Sequence, residues 1–319
     1  MSSSGFEPYA LKSARWGQRV PPRTESLRHT VGIGSDRTGG CAWRLLAAAV
    51  ATLLASVAAT DLIAATAATP VAVASAPRPP EPGRRVIDDL NLELIHVAAG
   101  SFTMGSPHDE PERNKAEGPR MQVTLSREFW LGKTEVTQAQ YEAVMGTNPS
   151  TFKTAGKDAP VERVSWIDAM AFCRKLTERE RAAGRLPEGE AFTLPTEAQW
   201  EYACRAGTTG SYAGEPDAMA WHDTNSGGTT HPVGLKRPNA WGFHDMPGNV
   251  LEWCYDWYGD YRGGAVKDPS GPERGHYRMA RGGSWRTDAR LGRSAARSGG
   301  SAGRLDYTIG FRLALGAAR

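Results

Sequence analysis

The feature that most constrains this chain is the stretch 208–280, dense in Gly, Pro, Asn, Asp and Trp and almost without periodic apolar runs. A segment that long and irregular inside a compact domain is uncommon, and it usually has a functional or metal-stabilised role. It argues against a helix bundle. The 36 Gly and 10 Trp among 319 residues point the same way, to short strands, many turns and indoles in the core. Length allows one to three domains. The net charge of +3, with no basic stripe interleaved with aromatics after residue 90, argues against nucleic acid as a partner.

Regular structure is legible on either side of the irregular stretch. LELIHV (92–97) and SFTMGS (101–106) flank Ala99-Gly100 and read as a hairpin. QVTLSREFWLGKTEV (122–136) alternates like strand, and HDEPERNKAEGPR (108–120) reads as a solvated loop. Three helix starts follow one rule. Thr137 precedes Gln140 by three, as Ser165 precedes Asp168 and Thr196 precedes Gln199, and each pair suits a capping box. The helices are expected to stop near Gly146, Gly184 and Gly207. Trp166, Met170, Cys173 and Leu176 mark a buried stripe on the second. MARGGSW (279–285) and YTIGFRLAL (307–315) read as closing strands.

The N-terminus reads as targeting sequence. Residues 1–60 comprise a leader rich in arginine and then LLAAAVATLLASVAAT (45–60), which suits a secretory signal. The run is short beside the roughly twenty residues of a membrane span, but an uncleaved single-pass anchor is the other reading. The leader is long for a signal, and Val31 is a candidate true start. Residues 61–89 read as an Ala/Pro-rich linker, and residues 90–319 as the folded domain.

Cys41 falls within the signal, which leaves Cys173, Cys204 and Cys254. An oxidising compartment permits one disulfide, with Cys173 and Cys204 the candidate pair; three buried free thiols are the other reading. His96, His108, His222, His231, His244 and His276 are scattered, without HxxxH or HExxH spacing. His222, His231 and Asp223 are the only group near enough in sequence to suggest a site, and surface histidines are the simpler reading. There is no GxSxG elbow and no phosphate-binding glycine loop.

Seven segments in order, FTMGS, WLGKTEVTQAQY, PVERVSWIDAMAFC, LPTEAQWEYACRAG, PVGLKRPNAWGFHDMPGNVLEW, RGGSW and IGFRLAL, span nearly all of residues 92–315. Together they resemble the formylglycine-generating enzyme, or sulfatase-modifying factor, family. The resemblance implies an α+β fold, a variant of the C-type lectin. That fold has a small twisted antiparallel sheet, two or three helices and a large irregular share.

The resemblance also implies sites. A calcium ion would take the Asp245 side chain, the carbonyls of Gly248 and Val250, and the Glu252 carboxylate, a hard-oxygen set that suits the ion. The residue-level alternative is a turn cap at Asp245 and an arginine partner for Glu252. A second calcium site, near Asn225 and Ser226, would be weaker because its loop is shortened to GGTTHPVG. Family enzymes oxidise a substrate cysteine with oxygen and copper held by two thiolates after Gly-Gly-Ser. Here Ser284 matches the family serine, but Thr287 and Gly292 occupy the thiolate positions, so copper and the oxidase reaction are not expected. In the resemblance, Cys173 and Cys204 match positions that are disulfide-bonded elsewhere in the family, and their usual partners align with Ser294 and Leu313. Arg290, Arg293, Arg297 and Arg304 would border the substrate groove and suit a peptide or an anionic ligand. Alternatively they pair with Glu197, Glu201 and Asp256. Arg281 and Arg312, beside strand glycines, are expected to be structural. The expected protein is therefore an exported, calcium-stabilised, non-oxidising binding or maturation factor of the periplasm or envelope, with a formylglycine-generating oxidase as the alternative.

Overall fold

The computed structural model describes residues 83–318. The leader, the apolar run and most of the linker lie outside the described residues. Among those described, no helix is long and apolar enough to cross a membrane.

The three helices start where the capping boxes place them. In α1 (Gln138–Met145), α2 (Trp166–Ala182) and α3 (Glu197–Arg205), the hydroxyls of Thr137, Ser165 and Thr196 accept the N3 amide, and the N3 side chains return the bond. Gly146 ends α1 in the left-handed region at φ 84°, a conformation that favours glycine. On α2, Cys173 and Leu176 are fully buried, while Trp166 and Met170 pack against the core edge. A single turn, α4 (Pro216–Met219), is the only helix between 208 and 250.

The strands form three sheets rather than one small one. The first orders β1 (Arg84–Ile87), β2 (Leu92–Val97), β5 (Phe129–Gly132), β12 (Ala314–Ala317) and β6 (Glu190–Thr193), all antiparallel. The second orders β10 (Ser298–Gly300), β9 (Arg278–Arg281), β7 (Leu251–Trp257) and β11 (Ile309–Gly310), with β11 parallel to β7. The third is β3 (Gly100–Met104), β4 (Met121–Leu125) and β8 (Gly264–Lys267), with β8 parallel to β4.

Three expectations are corrected. β2 and β3 belong to different sheets, so Ala99-Gly100 is a crossing and not a hairpin. Neither residue has the positive φ that a two-residue hairpin turn needs. The domain starts before residue 90, because β1 pairs with β2 and buries Ile87. All three cysteines are free and buried. Cys173 lies in the core under α1 and α2, Cys204 and Cys254 in the core under α3, so the candidate disulfide does not form. Cys204 instead donates to Ser294 Oγ at 3.6 Å, one of the two residues that the resemblance aligns with the usual disulfide partners.

Candidate functional site

Strand β9 delivers the segment on which the family chemistry would depend. Gly282 and Gly283 both sit at positive φ, 99° and 71°, and turn the chain inward at Ser284, which is completely buried. Thr287 closes the turn: its Oγ1 accepts the Ser284 amide at 2.7 Å and donates to the Ser284 carbonyl at 3.0 Å. A 3-10 turn (Ala289–Gly292), capped by Asp288, then brings Gly292 against Pro247. A Cβ on Gly292 would lie 2.2 Å from the Pro247 carbonyl oxygen, closer than any real contact. Both thiolate positions are therefore structurally reassigned: one hydroxyl locks a turn, and the other position has no space for a side chain. The adjoining cavity, lined by Cys204, Met219, Met246 and Pro247 among others, holds about 10 Å³, at the threshold for one water. Burial pushes the Cys204 thiol up to about 11, so it stays protonated and is no soft thiolate. The residues present do not fit copper.

The groove arginines are mostly structural. Arg293 is buried and forks onto Glu117 with bonds of 2.6 and 2.8 Å, reaches Glu110 at 2.6 Å, and donates to the Glu112 carbonyl. Burial alone would raise the Glu117 carboxyl, but hydrogen bonds from Arg293 and the Asn114 amide outweigh it and hold the group below its usual range. The acidic 108–120 loop is thus solvated over most of its length, as expected, but pinned to the domain through Glu110 and Glu117. Arg297 forks onto Glu197 at 2.6 and 2.9 Å. Arg304 pairs with Asp306 at 2.6 Å. Arg290 is exposed, between Glu112 and Asp288. Of the expected acidic partners, Glu197 takes Arg297, Glu201 takes Arg205 and Arg281, and Asp256 accepts the Glu197 amide at 2.9 Å. Arg281 and Arg312 are completely buried and structural, as expected.

The 245–252 loop is built differently from the expected calcium set. Both Glu252 oxygens meet Arg312 at 2.6 Å, and Oε2 also accepts Trp200 Nε1 at 2.7 Å. A cation at Glu252 would lie beside a guanidinium, and the carboxylate has the arginine partner that the residue-level alternative expected. Asn225 and Ser226 already have partners: Asn225 Oδ1 accepts the His222 amide within its own turn, and Ser226 Oγ donates to the Trp285 carbonyl 59 positions away. Among the described residues, no three metal-ligating side chains converge. The loop does hold a residue that sequence reasoning missed. Glu135, just before α1, accepts the Val250 amide at 3.0 Å and Asn249 Nδ2 at 2.8 Å. Asp245 accepts the Gly234 amide through Oδ2, while its Oδ1 is buried without a partner. Burial, with the charges of Asp245 and Glu252 added, pushes Glu135 well above the carboxylate range; burial chiefly raises Asp245 too. Three buried carboxylates thus share one arginine.

His222 is buried in its own loop, between Asp217 at 2.7 Å and Thr224 at 3.1 Å. His231 stacks on Trp221 at 3.8 Å. His222 Nδ1 also lies 3.7 Å from Asp223, but His231 Nε2 is engaged with the Ser226 carbonyl at 2.7 Å, and the three do not converge as a metal-ligand group.

The outer side of the 284–307 segment carries an aromatic group. Phe152 meets Trp285 edge-on at 5.0 Å and Tyr307 at 6.3 Å, and Arg286 reaches the Tyr307 hydroxyl. Leu305 beside it is 56% exposed.

Three comparisons bear on this geometry. The family model for the sulfatase-modifying factor enzyme 1-like domain matches residues 85–317. The chain is 32% identical over 240 residues to the chaperone protein LppX of Paenibacillus barcinonensis, covering 60% of this chain and 78% of that one. It is 34% identical over 183 residues to the formylglycine-generating enzyme of Streptomyces coelicolor, covering 50% of this chain and 54% of the enzyme, about half its length. Among solved structures, Treponema denticola variable protein 1 superposes with a TM-score of 0.64 at 32% identity, over 74% of this chain and 99% of that one. The α+β architecture is the one shared by these relatives, and the chain belongs to the sulfatase-modifying factor, or formylglycine-generating enzyme, family.

Proposed function

We propose that this protein is an exported, non-oxidising binding or maturation factor of the bacterial envelope, whose ligand contacts the outer face of the 284–307 segment. The observation that carries the reading is the closure at Gly292, where the Pro247 carbonyl occupies the space of a thiolate side chain. Tyr307 and Leu305, exposed over the buried Trp285, with Arg286 at the Tyr307 hydroxyl and Arg290 exposed in the same segment, suit a peptide or an anionic ligand. The chaperone name carried by LppX supports a maturation role. Export rests on the basic and then apolar N-terminus.

The test is incubation of the purified protein with a peptide carrying the sulfatase motif CxPxR, copper and oxygen, followed by mass spectrometry. The expected result is no formylglycine; product that persists under strict copper titration contradicts the reading. Calcium belongs to the proposal in altered form. Asp245, with its unpartnered oxygen, and Glu135 would hold it, and Glu252 would not. Three buried acids against one arginine support that part, because an added cation would offset their repulsion. A chelator is expected to lower Tm, and Asp245→Asn to remove the response. Unchanged Tm in chelator contradicts it.

A further inference from the structure

A cleft of about 820 Å³ opens where the 256–273 segment faces the start of α3 and the three-stranded sheet. Arg297 of the 284–307 segment lines it, but Phe152, Trp285, Arg286 and Tyr307 do not. Its floor is apolar, made by Met104, Met121, Ala198 and Val266, and Trp257 and Tyr261 line it from the side. The opposite wall is the 269–272 loop, Pro-Ser-Gly-Pro.

This wall is built by backbone approach. A Cβ on Gly259 would come within 2.9 Å of the Pro272 ring. One on Gly271, at φ 74°, would come within 2.8 Å of the Trp257 carbonyl. Only glycine lets these two stretches lie together, which marks a preformed cleft rather than a gap between loose loops.

The charge inside runs against that of the chain. At the deep end, Glu197 is matched by Arg297 and accepts the Tyr261 hydroxyl at 2.9 Å. The other charged side chains lining the cleft are Asp256, Asp260 and Glu273, against Arg262. Asp260 and Glu273 are exposed at the mouth. A negative excess in a protein of net charge +3 is a local feature of the cleft.

We infer that this cleft is a binding site for a cation carried on an apolar stem, the chemistry shared by the arginine or lysine side chain of a partner peptide and by an alkyl polyamine. The methylenes lie on the Met104, Met121 and Val266 floor, and the charged end meets Asp260 and Glu273; the Trp257 and Tyr261 rings already carry Arg278 and Arg297 over their faces and serve as walls. Anions are disfavoured by this lining. The inference does not depend on the function proposed for the 284–307 face.

Isothermal titration of the full chain at low salt tests it with three probes: spermidine, a blocked tripeptide with a central arginine, and the same tripeptide with a central glutamate. Saturable binding of at least one cation is expected, with none for the glutamate peptide. Binding of the arginine peptide alone assigns the site to a partner's side chain, and binding of spermidine alone assigns it to a polyamine. The exposed pair Asp260→Asn with Glu273→Gln is expected to weaken binding about tenfold. Val266→Trp, which fills the floor, is expected to abolish it. Failure of both cations to bind, equal binding by the glutamate peptide, or affinity unchanged by the Asp260 and Glu273 substitutions overturns the inference.

Discussion

Two loops of this molecule pack against each other and differ in one respect. In the 282–292 segment every polar group at the family position has an internal partner, and Pro247 closes the remaining space. In the 245–252 loop the acids outnumber their cation, and a carboxylate oxygen of Asp245 is buried alone. The satisfied, closed segment keeps the fold and leaves no room for a side chain at Gly292. An unsatisfied one carries a cost that a bound cation or a proton relieves. Both are family motifs in sequence, and of the two only the 245–252 loop leaves a buried carboxylate oxygen without a partner.

The largest effect that would sharpen this contrast is Arg312→Met. It strands Glu252 among three buried acids, and losing one partner of a buried pair costs about 3–5 kcal/mol. Chemical denaturation is expected to show a loss of that size or failure to fold, and a loss below about 1 kcal/mol would mean that the acids are already neutral. Next is Gly292→Ala, where the Pro247 backbone has to move; overpacking of this kind costs about 1–3 kcal/mol. An unchanged Tm would show the segment to be looser than the 2.2 Å approach implies.

The third prediction is acid lability. Burial alone would raise Glu117 and Glu197, but arginine partners hold both carboxyls below their reference value of 4.5. Their contribution is therefore present above pH 4.5 and is lost as pH falls through the depressed values. Melts between neutral pH and pH 3 are expected to steepen below about 4.5, and Glu117→Gln to flatten that slope. The smallest effect is Arg290→Ser. This arginine is exposed between two exposed acids, and surface pairs contribute about 0–1 kcal/mol. Its stability change is expected to be near zero, so any weakened ligand binding in that variant reports the face itself.

How much of this was legible in sequence follows from how local each signal is. The capping boxes at Thr137, Ser165 and Thr196 span three residues, and all three helices begin there. Strand β7 was hidden in the irregular stretch because it lies between β9 and β11 and is buried almost throughout, so LEWCYDW shows no alternation. The arginines were visible as charges, but their partners were not: Arg293 meets Glu117 across 176 positions, and Arg297 meets Glu197 across 100. Glu135 carried no signal at all, since its contacts lie 114 and 115 positions away in the 245–252 loop. The absent thiolates at Thr287 and Gly292 could be read directly, whereas the closure by Pro247 appears only in three dimensions.

In the non-oxidising reading proposed above, this closure, and not merely the identity of two side chains, keeps copper from the family position. The most direct measurement is Cu(I) titration of the double variant Thr287→Cys with Gly292→Cys, with Tm followed in parallel. The account predicts a destabilised protein without tight stoichiometric copper binding. A stable double variant that binds one Cu(I) tightly and converts a CxPxR peptide to formylglycine would contradict it.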